Sequence, residues 1–339
     1  MPQPPYLHCL TLPTPYPVGP VNVYLAEGEA LTLIDTGPKA EVTRAALHAG
    51  LAAHGYRPAD LKQIILTHHH VDHIGLAGEL AAASGAAIGA HPYTAPWLAG
   101  YDAHRLRQEP FYLQLWVEAG VPTDTVAAMK AANDTTARWT DDVATTQLID
   151  EGDLVTLGGE DWQVFHTPGH AGGLICLWEP GTRTLLANDH LLRDISSNPV
   201  VEPPPDLLGP RPRRLVDYLH HMRRMAALNP ALALPGHGEP VTDVPALVGR
   251  RATFHQRRAQ KILGMVSDTP LTLWELTRPL FPRLTRPLDH FLAMSEILGH
   301  LDLLEAEGLV APQPDGAMLR WARVTAALDY TNPHDRSTA

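Results

Sequence analysis

The chain has 339 residues, 45% of them hydrophobic and 19% charged, which is the balance of a globular protein long enough for two domains and excludes a disordered one. A formal net charge of −11 argues against a nucleic-acid polyanion as main partner. Two cysteines, Cys9 and Cys176, make no disulfide framework, no apolar run approaches a membrane span, and the N-terminus lacks a basic stretch and an apolar signal core; the cytoplasm is the expected location.

Between residues 6 and 37, Pro and Gly punctuate short β-rich runs, Leu7 to Leu12, Val21 to Ala26 and Ala30 to Ile34, which predicts an antiparallel meander. Glu41 to His54 reads as a helix, with Val42, Ala45, Ala46, Ala49 and Ala53 at helical spacing and Gly55 as its stop. A strand over 63 to 67 runs into Thr67-His68-His69-His70-Val71-Asp72-His73-Ile74-Gly75. Four histidines and an aspartate in one tight turn at a strand end are Zn²⁺-type ligands. His68 and His70, one residue apart, can point to the same side, while Asp72 and His73 on the continuing turn can face a second ion. A helix from about Leu76 to Ser84 and a strand from Ile88 to His91 follow.

Residues 92 to 148 break this rhythm as a mostly helical insertion. Trp97, Tyr101, Phe111, Tyr112 and Trp116 cluster there; Phe111, Leu115 and Ala119 share one helical face, with Tyr112 and Trp116 on a neighbouring one. Two readings are open: a wall over the metals where Trp97, Tyr112 and Trp116 bind an apolar part of the substrate, or a stripe that packs the insertion onto the core or forms a homodimer contact.

Strand-like runs resume at 153. Trp162 to Phe165 leads to Thr167-Pro168-Gly169-His170, Leu185 to Ala187 leads to Asn188-Asp189, and Leu232 to Pro235 leads to Gly236-His237. Each puts a ligand where a strand stops. The Pro-rich segment His190 to Pro210 is a long irregular loop leaving a ligand, a place for substrate contacts through Arg193 or His190. Pro212 to Leu228 is a helix with Leu215, Leu219, Met222 and Met225 inward.

Taken in order across roughly residues 5 to 245, these motifs resemble those of the metallo-β-lactamase superfamily. The resemblance implies an α/β fold, a four-layer αββα sandwich, over residues 1 to 245 with the helical insertion at about 92 to 148. It further implies that His68, His70 and His170 hold one metal, that Asp72, His73 and His237 hold a second, and that Asp189 bridges both. Ile34-Asp35-Thr36-Gly37 is similar to the family's first motif, whose Asp orients the site without binding metal. Asn188 stands where relatives carry Gly.

After His237 the composition changes. Residues 246 to 266 read as a basic helix with Arg250, Arg251, Arg257, Arg258 and Lys261, either a phosphate track or a solvated face, the latter being the expectation. Thr272 to Phe281, Leu288 to Glu307 and the pair Leu309-Val310/Met318-Leu319-Arg320-Trp321 around Pro314-Asp315-Gly316 read as helix, helix and hairpin. That order resembles a small winged-helix domain, residues 246 to 325, followed by a tail, 326 to 339. Its recognition helix would carry Asp289, Glu296, Asp302, Glu305 and Glu307, which argues for packing, dimerisation or a substrate wall over nucleic-acid reading.

Two divalent ions sharing a water lower its pKa from 15.7 toward about 7, and the bridging hydroxide so formed attacks a carbonyl that the ions polarise. Zn²⁺ is the default for such N/O ligands, and Fe or Mn accept a similar set. No Ser or Cys nucleophile sits in a motif, and Asp72 either only coordinates or also shuttles a proton to the leaving group. By resemblance, Asp189 stands where the common class B β-lactamases place Cys, Leu192 replaces the tyrosine of the lactonases, and the C-terminal segment is too short for the flavodoxin-like domain of diiron flavoproteins. The expected function is hydrolysis of a small-molecule thioester or related ester. The alternatives are a lactonase, a single-strand endoribonuclease or a winged-helix nucleic-acid-binding protein.

Overall fold

Six strands form the first sheet of the computed structural model, which describes residues 3–266 and 269–324. β1 (Leu7–Leu12), β2 (Val21–Ala26) and β3 (Thr32–Ile34) are the expected meander, with Leu7 opposite Ala26 and Tyr24 opposite Ile34. Helix α1 (Glu41–Ala53) then crosses to β4 (Gln63–Leu66), and the short α2 (Val71–Ile74) and α3 (Ala77–Ser84) cross to β5 (Ala87–Ala90); both crossovers create parallel pairings. Leu47 and Leu51 of α1 and Leu80 of α3 cover the sheet's outer face at Leu10, Val23, Leu33 and Ile64.

The insertion contains α4 (Ala95–Ala99), α5 (Tyr101–Glu118) and α6 (Thr123–Asn133). Its last residues are not helical. β6 (Gln147–Leu148) rejoins the sheet as an edge strand parallel to β5, and two exposed residues give no periodic signal by which a sequence reading could find it.

The second sheet is built from β7 (Leu154–Leu157), β8 (Glu160–His166), β9 (Ile175–Glu179), β10 (Thr184–Asn188) and β11 (Leu232–Pro235), in the order β11-β10-β9-β8-β7. Tyr24, Ile34 and Ile65 of the first sheet pack on Trp162, Val164, Ile175, Leu177 and Leu186 of the second. On the far face, α7 (Arg214–Ala227) buries Leu215, Leu219, Met222 and Met225, joined by Val244, Leu247 and Val248 of α8 (Val244–Met265). Helices outside two stacked sheets give the expected four layers.

Beyond α8 come β12 (Leu271–Thr272), α9 (Leu273–Leu280), α10 (Pro287–Ala306), β13 (Val310–Asp315) and β14 (Met318–Arg323), the strands forming a sheet in the order β12-β14-β13. The expected tail, 326 to 339, lies outside the described residues. Leu115, Trp116, Val121 and Met129 of the insertion share one apolar cluster with Ile262, Trp274, Leu276, Met294, Ile297 and Leu301, so insertion and C-terminal elements have a common core.

Helix α10 is packed among α6, α7, α8 and α9, and its acids are spent internally. Asp302 takes Arg211, Glu305 takes Arg213 at 2.7 Å, and Glu296 faces Arg258 at 3.3 Å. The basic helix is the solvated face expected at Arg250, Arg257 and Lys261, which are exposed, but not at Arg251 and Arg258. Arg251 donates to the carbonyls of Leu192, Arg193 and Ile195, and Arg258 lies over the Phe281 ring, because α8 is the joint between the sandwich and α10. Among the described residues no helix is long and apolar enough to cross a membrane.

Candidate metal centre

All the anticipated ligands converge at one end of the sandwich. His68, His70, Asp72 and His73 follow β4, His170 follows β8, Asp189 follows β10, and His237 follows β11. Stopping each strand just before its ligand leaves that side chain on a rigid base. Asn188 holds φ at 44°, in the left-handed region that glycine adopts without cost, and its Nδ2 donates to the Ile175 carbonyl at 3.2 Å to fix the bend. Gly236 has a steric reason: a Cβ there would lie 2.2 Å from Oδ1 of Asp189.

Two groupings emerge. Nδ1 of His70 sits 3.0 Å from Nε2 of His68 and 2.9 Å from Nε2 of His170. Asp72, His73 and His237 bring their ligand atoms together beside it, with His237 Nε2 3.4 Å from Asp72 Oδ2. Asp189 lies between: Oδ2 is 3.4 Å from His170 Nε2 and 3.6 Å from His237 Nε2, and Oδ1 is 3.5 Å from His73 Nε2.

Tautomers follow from the outer partners, which can only accept. Nδ1 of His170 donates to the Asn198 carbonyl at 3.0 Å, Nδ1 of His237 to the Pro20 carbonyl at 2.8 Å, and Nδ1 of His73 to Asp35 at 2.8 Å. Each ring therefore turns its Nε2 toward carboxylate oxygens, where it carries a proton or gives its lone pair to a cation held between them. Nε2 of His73 and Oδ1 of Asp189 are buried without a hydrogen-bond partner among the described residues, as unspent ligand atoms would be.

The charge balance agrees. Burial, followed by the neighbouring histidines, pushes His68 and His70 well below the ordinary histidine range and keeps them neutral. Burial opposes ionisation of Asp72 and Asp189, but His73 and His237 facing them outweigh it, holding Asp72 down to about 2 and Asp189 lower still. Burial also opposes charge on His73, yet Asp189 and Asp35 raise it well above its usual range. A buried pocket whose carboxylates stay ionised and whose nearest imidazole is driven to take a proton fits divalent ions, and these residues suit them.

Beside His70 opens a cavity of about 180 Å³ lined by Trp97, Tyr101, Tyr112, Trp116 and Phe291 among others. The insertion's aromatics both pack and line it. Arg193 does not: it is exposed, paired with Asp194 at 3.1 Å, since Arg251 holds the backbone of its loop against α8. His190 is buried edge-on to Tyr218, outside the lining. Sequence reasoning passed over His69, Tyr93, Glu202 and Arg214. His69 lay inside the motif, whereas Glu202 stands in an irregular Pro-rich loop and Arg214 at the start of α7, where nothing in the sequence pairs them.

Buried imidazoles and carboxylates at the strand ends of an αββα sandwich define a metal-dependent hydrolase. The sequence profile of the metallo-β-lactamase superfamily matches residues 16–237, and the chain belongs to that superfamily as one of its metallo-hydrolases. It is 38% identical over 307 residues to the probable metallo-hydrolase YqjP of Bacillus subtilis, covering 91% of this chain and 94% of that protein. A crystal structure of a metallo-β-lactamase family protein from Thermus thermophilus superposes with a TM-score of 0.79 at 30% identity, over 94% of this chain and 99% of that one. A shorter match, 31% identity over 144 residues, is to a hydroxyacylglutathione hydrolase of Fuscovulum blasticum, covering 42% of this chain and 38% of that protein.

Proposed function

We propose that the protein binds two divalent ions and hydrolyses a thioester or related ester of a small molecule. The observation that carries this reading is Asp189, whose two oxygens face different members of the two ligand groupings. His68, His70 and His170 would hold one ion, Asp72, His73 and His237 the other, with Asp189 shared. Zn²⁺ suits this N/O donor set, and Fe or Mn accept it too. Bound there, the ions supply an activated water and polarise the scissile carbonyl.

The chain's own contribution is positioning. The Nδ1 anchors hold the rings, Asp72 stands beside His237 where a leaving-group proton can be passed, and the aromatic cavity seats an apolar arm away from water. Resemblance to a hydroxyacylglutathione hydrolase favours a thioester among carbonyl substrates. Leu192, buried at the position of the lactonase tyrosine, brings no hydroxyl. Burial of α10 speaks against a groove-reading nucleic-acid protein.

The test is a screen of metal-reconstituted protein against thioesters, lactones, β-lactams and single-stranded RNA. Thioester turnover is expected. RNA cleavage without any carbonyl hydrolysis overturns the assignment.

A further inference from the structure

Although the cavity beside His70 is mostly aromatic, its wall includes a buried polar pair, Glu202 and His69. Glu202 is 2% exposed. Its Oε2 accepts from Arg214 Nη2 at 2.5 Å and from Tyr93 Oη at 3.2 Å, which fixes the carboxylate. Its Oε1 lies 3.5 Å from His69 Nε2, too far for a good hydrogen bond, and has no hydrogen-bond partner among the described residues; Nδ1 of His69 has none either. The His69 ring is itself held by stacking on Trp97, with centroids 4.3 Å apart and planes at 11°.

Charge narrows what such a place accepts. Arg214 neutralises Glu202 inside the protein, so the pair carries no net charge to attract a cation. The cations lining the same cavity are also engaged, Arg105 by Asp102 and Asp134, and Lys130 by Glu109. What is left is a fixed, buried acceptor oxygen without unbalanced charge.

Resting on the thioester reading, we infer that the acyl arm of the substrate carries a neutral hydrogen-bond donor, a hydroxyl or an amide N–H, that donates to Oε1 of Glu202 with His69 as the second polar contact. A plain hydrocarbon arm would leave that oxygen without a partner, and sites built around a buried hydrogen bond reject the analogue that lacks it.

The experiment uses the metal-loaded full chain and matched medium-chain thioesters, plain or with one hydroxyl or amide walked along the acyl arm. Non-hydrolysable thioether analogues of the same series are titrated in parallel by quenching of Trp fluorescence. One donor position should raise kcat/KM and lower the thioether Kd by roughly ten- to a hundredfold. His69→Phe, which keeps the stack on Trp97, should shrink that preference, and Glu202→Gln should change it further; Tyr93→Phe, which frees the carboxylate to move, serves if Glu202→Gln does not fold. Thioesters turned over with no donor preference at any position overturn this inference alone. If no thioester is hydrolysed, the functional reading fails, and the thioether Kd ratio still decides whether the donor is recognised.

Discussion

Oδ2 of Asp35 lies 2.8 Å from Nδ1 of His73, while Oδ1 of the same carboxylate accepts the backbone N–H of Thr67 at 2.8 Å. One buried side chain thus ties both ends of the metal-binding turn, and does so from a residue held at φ 61° just past β3. Such outer partners set the tautomer and direction of a ligating imidazole. Asp35→Ala should therefore weaken metal binding by roughly ten- to a hundredfold, read by competition with a chromophoric chelator. Wild-type affinity in that variant would show that His73 needs no orienting partner.

Metal analysis of a fully loaded preparation should give about two equivalents per chain. Stripping them should lower the melting temperature, since ions that bind only the folded state stabilise it by mass action and here also relieve buried carboxylates. Asp189→Ala should lose at least one equivalent. A single tightly bound ion in the wild type rules out the shared-carboxylate arrangement.

Asp72→Ala and His170→Ala should each remove most hydrolytic turnover with far-UV circular dichroism unchanged, because Asp72 stands in the single-turn α2 and His170 in the turn beyond β8, and neither belongs to an apolar cluster. Near wild-type rates on the best substrate would contradict the proposed site.

The candidate ligands were legible because strand-ending turns rich in His and Asp are a local pattern. Asp35 was legible only through the family resemblance; its contact with His73 joins residues far apart in sequence. Arg193 shows the limit of such reading. A lone arginine in a Pro-rich loop looked available for substrate, and only Arg251, 58 residues further on, decides that its backbone is pinned and its side chain pairs with Asp194. Glu202 was invisible for the same reason: its importance lies in Arg214, Tyr93 and His69 around it.

Trp116 is 5% exposed, meets Phe291 edge to face at 5.5 Å, and also lines the cavity. Trp116→Ala should then cost about 3 to 5 kcal/mol of stability and raise KM for long-chain substrates more than for short ones. Tyr112, whose hydroxyl donates to the Val201 carbonyl at 3.3 Å, offers a milder probe. Tyr112→Ala should shift KM in the same direction, and an equal effect on both chain lengths would make the stripe a packing element only.

A last prediction concerns the joint between the sandwich and α10. Nδ1 of His300 donates to the Glu296 carbonyl at 2.7 Å, so its Nε2 accepts from Nδ1 of His255 at 3.2 Å, and Nε2 of His255 accepts from Ser196 Oγ at 3.1 Å. This relay joins the loop after Asp189, α8 and α10 with both rings neutral, and a further proton would be taken up in a buried place beside Arg251 and Arg258. Burial foremost, then His300, Arg251 and Arg258, holds His255 down to about 3, and burial with Arg258 holds His300 down to about 4. Both lie below the ordinary value of about 6.5, so the unfolded chain binds these protons more readily. The stability they confer is complete above about 6.5 and is lost as pH falls toward 4. Melting temperature should decline over that window, and the decline should be shallower in a His255→Phe, His300→Leu double variant, because other buried histidines keep their share of the slope. A slope unchanged by the double variant would mean that this relay does not titrate on unfolding.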